Sequence, residues 1–124
     1  MVLLGGAVLT AQTPAATASA VLKNADGATV GTATLRETPN GVLIHLDLTA
    51  VPAGPHAFHI HTTGACEPPF TSAGGHFAPG GTHHGLLSVM GPHAGDLPNV
   101  FVPADGKLDV DVLARGVTLA AGPS

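Results

Sequence analysis

Seven of the eight histidines fall between His56 and His93, and their spacing is that of metal ligands. The stretch "HAFHIH" runs from His56 to His61 and holds His59 and His61 two residues apart. Residues two apart on a strand share a face, with Cα atoms roughly 6 to 7 Å apart. Two imidazoles so placed can converge on one ion. Phe58 and Ile60 then point the other way, into a core, and His56 joins them because its spacing from His59 is odd. Further on, "AGGHFAPGGTHHG" carries His76, His83 and His84, and "GPHAGDLPN" carries His93 and Asp96 as an H-x-x-D pair. Three imidazoles and a carboxylate make an N₃O set suited to tetrahedral zinc. Four protein ligands leave no position for a substrate, so such a site is structural. A histidine pair alone reads as a polar outer face, and a His-rich loop alone as a solvated one. Their combination beside glycine hinges favours metal.

The elements that must position these groups are short strands between turn signals. Ala18 to Lys23 is apolar and ends in "NADG", a turn with glycine at its end. Val30 to Glu37 alternates, and Asn40-Gly41 marks a hairpin. In Val42 to Leu48, period two puts Val42, Ile44, Leu46 and Leu48 on one face and Leu43, His45 and Asp47 on the other. "VPAGP" breaks the run before the strand His56 to His61. Val100 to Val102 and Leu108 to Leu113 form a last pair around "PADG". No helical period appears. Strands punctuated by turns predict an antiparallel sandwich or barrel. Thr62 to Pro98 is a 37-residue stretch without periodicity. A compact domain rarely keeps so long a loop without another source of order, and the metal ligands are that source.

Composition bounds the rest. The chain of 124 residues is 44% hydrophobic and 10% charged, with no Trp or Tyr, which fits one small domain with a core of Val, Leu, Ala and Phe. A net charge of −4 argues against a nucleic-acid surface, and no run is long enough to span a bilayer. Met1 to Ala11 resembles the apolar core of a signal peptide with a small-residue site at Leu9-Thr10-Ala11, although it has no basic start. Residues 1–17 are therefore read as a leader, with Pro14 to Ser19 mobile, and residues 18–124 as the domain. The competing reading of Met1 to Ala11 is a buried first strand. Cys66 is the single cysteine. In an exported protein an odd cysteine implies a partner elsewhere.

"GPHAFHIH", "SAGGHF", "GDLPNV" and the single Cys66 together resemble the copper/zinc superoxide dismutases. The family's strand motif is G-x-H-G-F-H-x-H, followed by a cysteine, then G-x-H-F or G-G-H-Y, then a zinc loop ending H-x-G-D-L. The likeness covers about Ala18 to Thr118. It implies an all-β, Greek-key, immunoglobulin-like sandwich or barrel with a long metal-binding loop. It implies copper held by His59, His61 and His76, and zinc held by His76, His84, His93 and Asp96. His76 would bridge the metals and act in catalysis, and His83 could replace His84 after a loop shift. His56 matches a structural histidine behind the copper site, and Cys66 one half of a disulfide. The implied reaction is dismutation of superoxide by copper redox cycling with a structural zinc, in a secreted or periplasmic protein.

Against the family pattern the 124 residues supply six of the usual eight strands, in the order first, second, third, sixth, fifth, fourth. The family's fourth copper histidine, guiding arginine and second cysteine have no match here, and no Lys or Arg lies between Arg36 and Lys107. The chain is therefore expected to lack a C-terminal part, as a fragment or a naturally short member, with impaired activity. An exposed histidine strand would invite homodimer or edge-strand association. The alternatives are a non-enzymatic copper- and zinc-binding module and an inactive protein that pairs through that edge.

Overall fold

"GVLIHLDL" has the cleanest alternation in the chain, and it lies at the centre of the larger sheet. The computed structural model describes residues 13–120. Within them are six strands: β1 (Thr17–Lys23), β2 (Thr29–Thr38), β3 (Gly41–Leu48), β4 (Gly54–His59), β5 (Asp96–Val102) and β6 (Leu108–Ala114), with one 3-10 turn at Thr71–Ala73. Val42, Ile44, Leu46 and Leu48 of β3 are all buried, whereas Asp47 on the opposite face is exposed.

Antiparallel pairing gives β1-β2-β3-β6 as one sheet and β4-β5 as a second. The two pack over a common core in which the β3 side chains meet Leu97 and Val102 of β5, with Phe58 and Val100 against its rim. Burying one such Leu or Ile contributes about 1.5–3 kcal/mol, so this small set supplies most of the drive for the sheets to associate. The expected run of six neighbouring strands is thus divided between β6 and β5, which touch without a hydrogen-bonded ladder. The chain changes sheet at the turn Pro103–Gly106, where Gly106 N–H donates to Pro103 O (3.0 Å) and Val51 N–H to Gly106 O (3.1 Å). Among the described residues β4 pairs with β5 alone.

Local chemistry explains the hairpins. The Thr38 hydroxyl donates to Gly41 O (2.8 Å) and accepts Asn40 N–H (3.2 Å). Gly41 has φ +129, and a Cβ there would collide with the Ala114 carbonyl oxygen of β6. Sequence-predicted boundaries shift at several strands. β5 begins at Asp96, four residues before Val100, because its first residues "DLPN" do not alternate and contain a proline. His56 pairs with Val100 and Phe58 with Leu97, so Pro98 and Asn99 together face Ala57 in a bulge. Proline has no N–H for a ladder and is tolerated there. At the other end β1 begins at Thr17, paired with Arg36, so part of the expected mobile segment Pro14 to Ser19 is in the sheet. The leader-like run Met1 to Ala11 lies outside the described residues.

Candidate metal centre

β4 ends at His59, so His59 and His61 do not share a strand as alternation predicted. His61 forms an isolated bridge with His76. Both nonetheless pack on His76. The His59 and His76 rings stack with centroids 3.9 Å apart, and His61 meets His76 edge-on at 5.1 Å.

Three backbone hydrogen bonds hold the segments that carry these groups. Ile60 N–H donates to Gly95 O (2.9 Å), Gly95 N–H to Phe77 O (2.8 Å) and Phe77 N–H to Ile60 O (2.7 Å), closing a ring. Ile60 sits between His59 and His61, Phe77 follows His76, and Gly95 precedes Asp96. The end of β4, the middle of the loop and the start of β5 are thereby fixed side by side.

His76, His84, His93 and Asp96 each offer a ligand atom, and these atoms lie within 4.8 Å of one another. Asp96 is buried, and its two oxygens have different surroundings. Oδ2 accepts the backbone N–H of Gly85 (2.7 Å) and of His93 (3.1 Å). Oδ1 faces imidazoles: Nδ1 of His76 at 2.9 Å, of His59 at 3.3 Å and of His84 at 3.5 Å. Burial pushes this carboxyl's pKa up, but the Gly85 and His93 amides and the His76 ring outweigh it and hold the carboxyl below the usual range. It is an ionised anchor. His59 is driven the other way, toward the neutral imidazole, by burial and then by the neighbouring His76.

The donor set fits a cation on three counts. His59 Nδ1 and His93 Nδ1 are buried without a hydrogen-bond partner, although each lies near an Asp96 oxygen. A buried polar atom left unpaired costs about 1–3 kcal/mol, and a cation beside each ring would satisfy it. His76 Nδ1 and His84 Nδ1 are 3.2 Å apart, so two ring nitrogens face each other, as they do around a shared ion. Three imidazoles and a carboxylate also match the ligand preferences of zinc. His61 Nδ1 donates to Gly74 O (2.9 Å), which leaves Nε2 as the ring nitrogen free to bind a metal.

A family model for copper/zinc superoxide dismutase (SODC) matches residues 29–124. The chain belongs to the copper/zinc superoxide dismutase family. It is 50% identical over 107 residues to superoxide dismutase [Cu-Zn] 2 of Aquifex aeolicus, covering 85% of this chain and 63% of that one. Among solved structures, a SOD-like protein from Bacillus subtilis gives a TM-score of 0.80 at 39% identity, covering 86% of this chain and 73% of that one. The Cu/Zn superoxide dismutase from Brucella abortus gives 0.72 at 30% identity, covering 86% and 77%. This chain spans about three fifths of the length of the curated relatives it matches. The fold of the dismutase family therefore applies here, with a His and Asp cluster able to hold a metal ion.

The remaining predicted residues lie apart from the cluster. His56 is half-buried, its Nε2 2.6 Å from Pro52 O. Cys66 is exposed with a free thiol. His84 turns into the cluster, while His83 is exposed and contributes its backbone N–H to Gly91 O (3.2 Å). Sequence reasoning missed the groups that hold the ligands in place, namely the Gly85 and His93 amides, the Gly74 carbonyl and Gly95. Only the position of Gly95 inside "GDLP" signalled it. Among the described residues no helix is long and apolar enough to cross a membrane.

Proposed function

We propose that this domain dismutates superoxide, converting two superoxide ions and two protons into dioxygen and hydrogen peroxide. In this reading His59, His61 and His76 hold copper, and His76, His84, His93 and Asp96 hold zinc. The observation that carries it is His76, which stacks on His59, meets His61 and turns Nδ1 to Asp96 within one cluster. Copper held there would supply one-electron redox chemistry, with zinc as a fixed positive charge beside it.

The chain's own residues orient and protonate. Gly74 O fixes the His61 tautomer, and Asp96 fixes the ring of His76. With Nδ1 committed to the Asp96 side, His76 Nε2 is the atom assigned to hold one of the protons the reaction consumes. Cys66 and His56 are assigned structural roles, one as half of a disulfide whose partner cysteine has no match in these residues and the other behind the copper position. The apolar start supports an exported leader over residues 1–17. Among the described residues β4 is paired on one side only, which supports association through that edge, as a homodimer or otherwise.

The test is metal uptake by single variants, read together with superoxide decay. His76→Ala should lower the affinity for both copper and zinc, His59→Ala for copper alone and His84→Ala for zinc alone. The copper- and zinc-loaded protein should speed superoxide decay where the zinc-only protein does not. Binding of both metals without faster decay would favour the non-enzymatic metal-binding module. Loss of one metal only from His76→Ala would refute the bridging role.

A further inference from the structure

We infer that Gly95 is a positioning residue that couples the two metal positions through the backbone ring Ile60–Phe77–Gly95. The inference rests on the ligand assignment proposed above. Each member of the ring donates one hydrogen bond and accepts one. Each is also the chain neighbour of a site residue: Ile60 of His59 and His61, Phe77 of His76, and Gly95 of Asp96. A shift at any corner is therefore passed to ligands on both sides of His76.

Gly95 is the corner with no room. It is buried, and a Cβ built on it would collide with the Ile60 carbonyl oxygen, an acceptor of the ring, and lie 3.0 Å from Phe77 N and 3.1 Å from Phe77 Cβ. Two of those neighbours are backbone and the third is a Cβ fixed to it, so none can swing aside as a flexible side-chain tip can. A methyl group here must part Ile60 from Phe77, and so His59 and His61 from His76 and Asp96. Glycine is required because three segments of the chain approach at this point, and its backbone angles play no part.

A comparator separates positioning from mere stability. Gly31 on β2 is crowded in the same way, since its Cβ would collide with Asp47 O and lie 3.0 Å from Leu48 Cα and Leu48 Cδ2. Its strand partners, Leu22 and Leu48, carry no site residue. Both substitutions should destabilise the sheet they touch, and only the one at 95 should alter the metals.

The experiment loads the full chain and the variants Gly95→Ala and Gly31→Ala with Co(II) as a zinc probe and with Cu(II). It reads the Co(II) visible spectrum, the Cu(II) EPR spectrum and both affinities. Gly95→Ala should weaken both metals about 10–100-fold, as loss of a ligand's supporting contacts does, and change both spectra. Gly31→Ala should leave both spectra as in the unaltered chain and both affinities within about twofold. A second measurement needs no variant: zinc alone should slow amide hydrogen exchange at Gly95 and Phe77 and also at Ile60, on the copper side. If Gly95→Ala behaves like Gly31→Ala, or if zinc protects Gly95 and Phe77 but not Ile60, the coupling is refuted while the metal reading stands. If the unaltered chain takes up neither metal, the metal reading falls and the coupling falls with it.

Discussion

Replacing Asp96 by asparagine preserves the shape of the side chain and removes one ligand. Oδ2 of Asp96 accepts two backbone N–H groups, from Gly85 and His93, and Oδ1 faces three imidazole nitrogens. In the Asp96→Asn variant the amide oxygen would stay on the two backbone donors, and the NH₂ would then face the histidines. An NH₂ group has no lone pair for a metal, whereas a neutral His76 can take the tautomer that accepts from it. The metal-free protein should therefore fold. Two charge-assisted hydrogen bonds become neutral, each weaker by about 1 kcal/mol, and relief from burying a charge offsets part of that. Zinc binding should suffer more. Structural zinc is worth about 10–16 kcal/mol over four ligands, so one ligand accounts for about 2.5–4 kcal/mol, or two to three powers of ten in affinity. With free zinc at about 1,000 times the original Kd, binding stabilises the unaltered chain by ~4 kcal/mol, or ~16 °C at about 4 °C per kcal/mol for this size. The variant under the same conditions keeps about 0.4–1.4 kcal/mol, a rise of ~2–6 °C. Calorimetry or dye-monitored melting at buffered free zinc measures both. Equal zinc-induced rises for Asp96→Asn and the unaltered chain would refute the four-ligand assignment.

Other perturbations probe separate parts of the molecule. His59→Ala should weaken copper and leave the zinc-induced rise in Tm intact, and equal losses on both metals in titrations would contradict the assignment. Gly41→Ala should cost about 1–3 kcal/mol in backbone strain and more from the collision with Ala114 O. Gly27→Ala, with φ +81 and nothing within 4 Å of its Cβ, should lose the strain alone, and denaturant midpoints will rank the pair. His45 on the outer face of β3 has its pKa raised, chiefly by a 3.0 Å hydrogen bond to Asp111, with Asp109 and Asp47 adding attraction. A raised pKa stabilises the fold fully below the unfolded value of about 6.5 and loses that effect as pH rises through the folded value. NMR titration should place His45 above its ordinary value and Asp111→Asn should bring it back down. An unchanged pKa in that variant would remove Asp111 as the cause.

How far the sequence revealed the molecule depends on what orders each part. β3 was legible because one face of an antiparallel strand is buried and the other is wet, and that contrast is written into its side chains. The Asn40-Gly41 turn was legible because backbone chirality restricts which residues can follow it. The start of β5 was not, since its first residues pair beside a bulge whose proline makes no ladder bond, and "DLPN" carries no alternation to betray it. The gap between β6 and β5 was likewise silent. Both strands are apolar enough to sit anywhere in the order, and a change of sheet leaves no mark on composition.

The site divides along the same line. The residue types of the candidate site were readable because few side chains can bind metal, and the chain gathers seven of its eight histidines into 38 positions, from His56 to His93. Geometry was not readable from spacing. Alternation placed His59 and His61 together on one strand face, yet the strand stops at His59 and His61 enters through a bridge to His76. The actual determinant is a set of backbone bonds among Ile60, Phe77 and Gly95, and backbone groups are the same in every sequence. Their only trace is a residue that must be absent, the side chain at position 95. A loop without periodicity is therefore still specified, but by its ligands and by the points where chains come too close for a Cβ. Those two signals fall next to each other in "HAGDL", where His93, Gly95 and Asp96 are a proposed ligand, a point of contact and a proposed ligand in four consecutive positions.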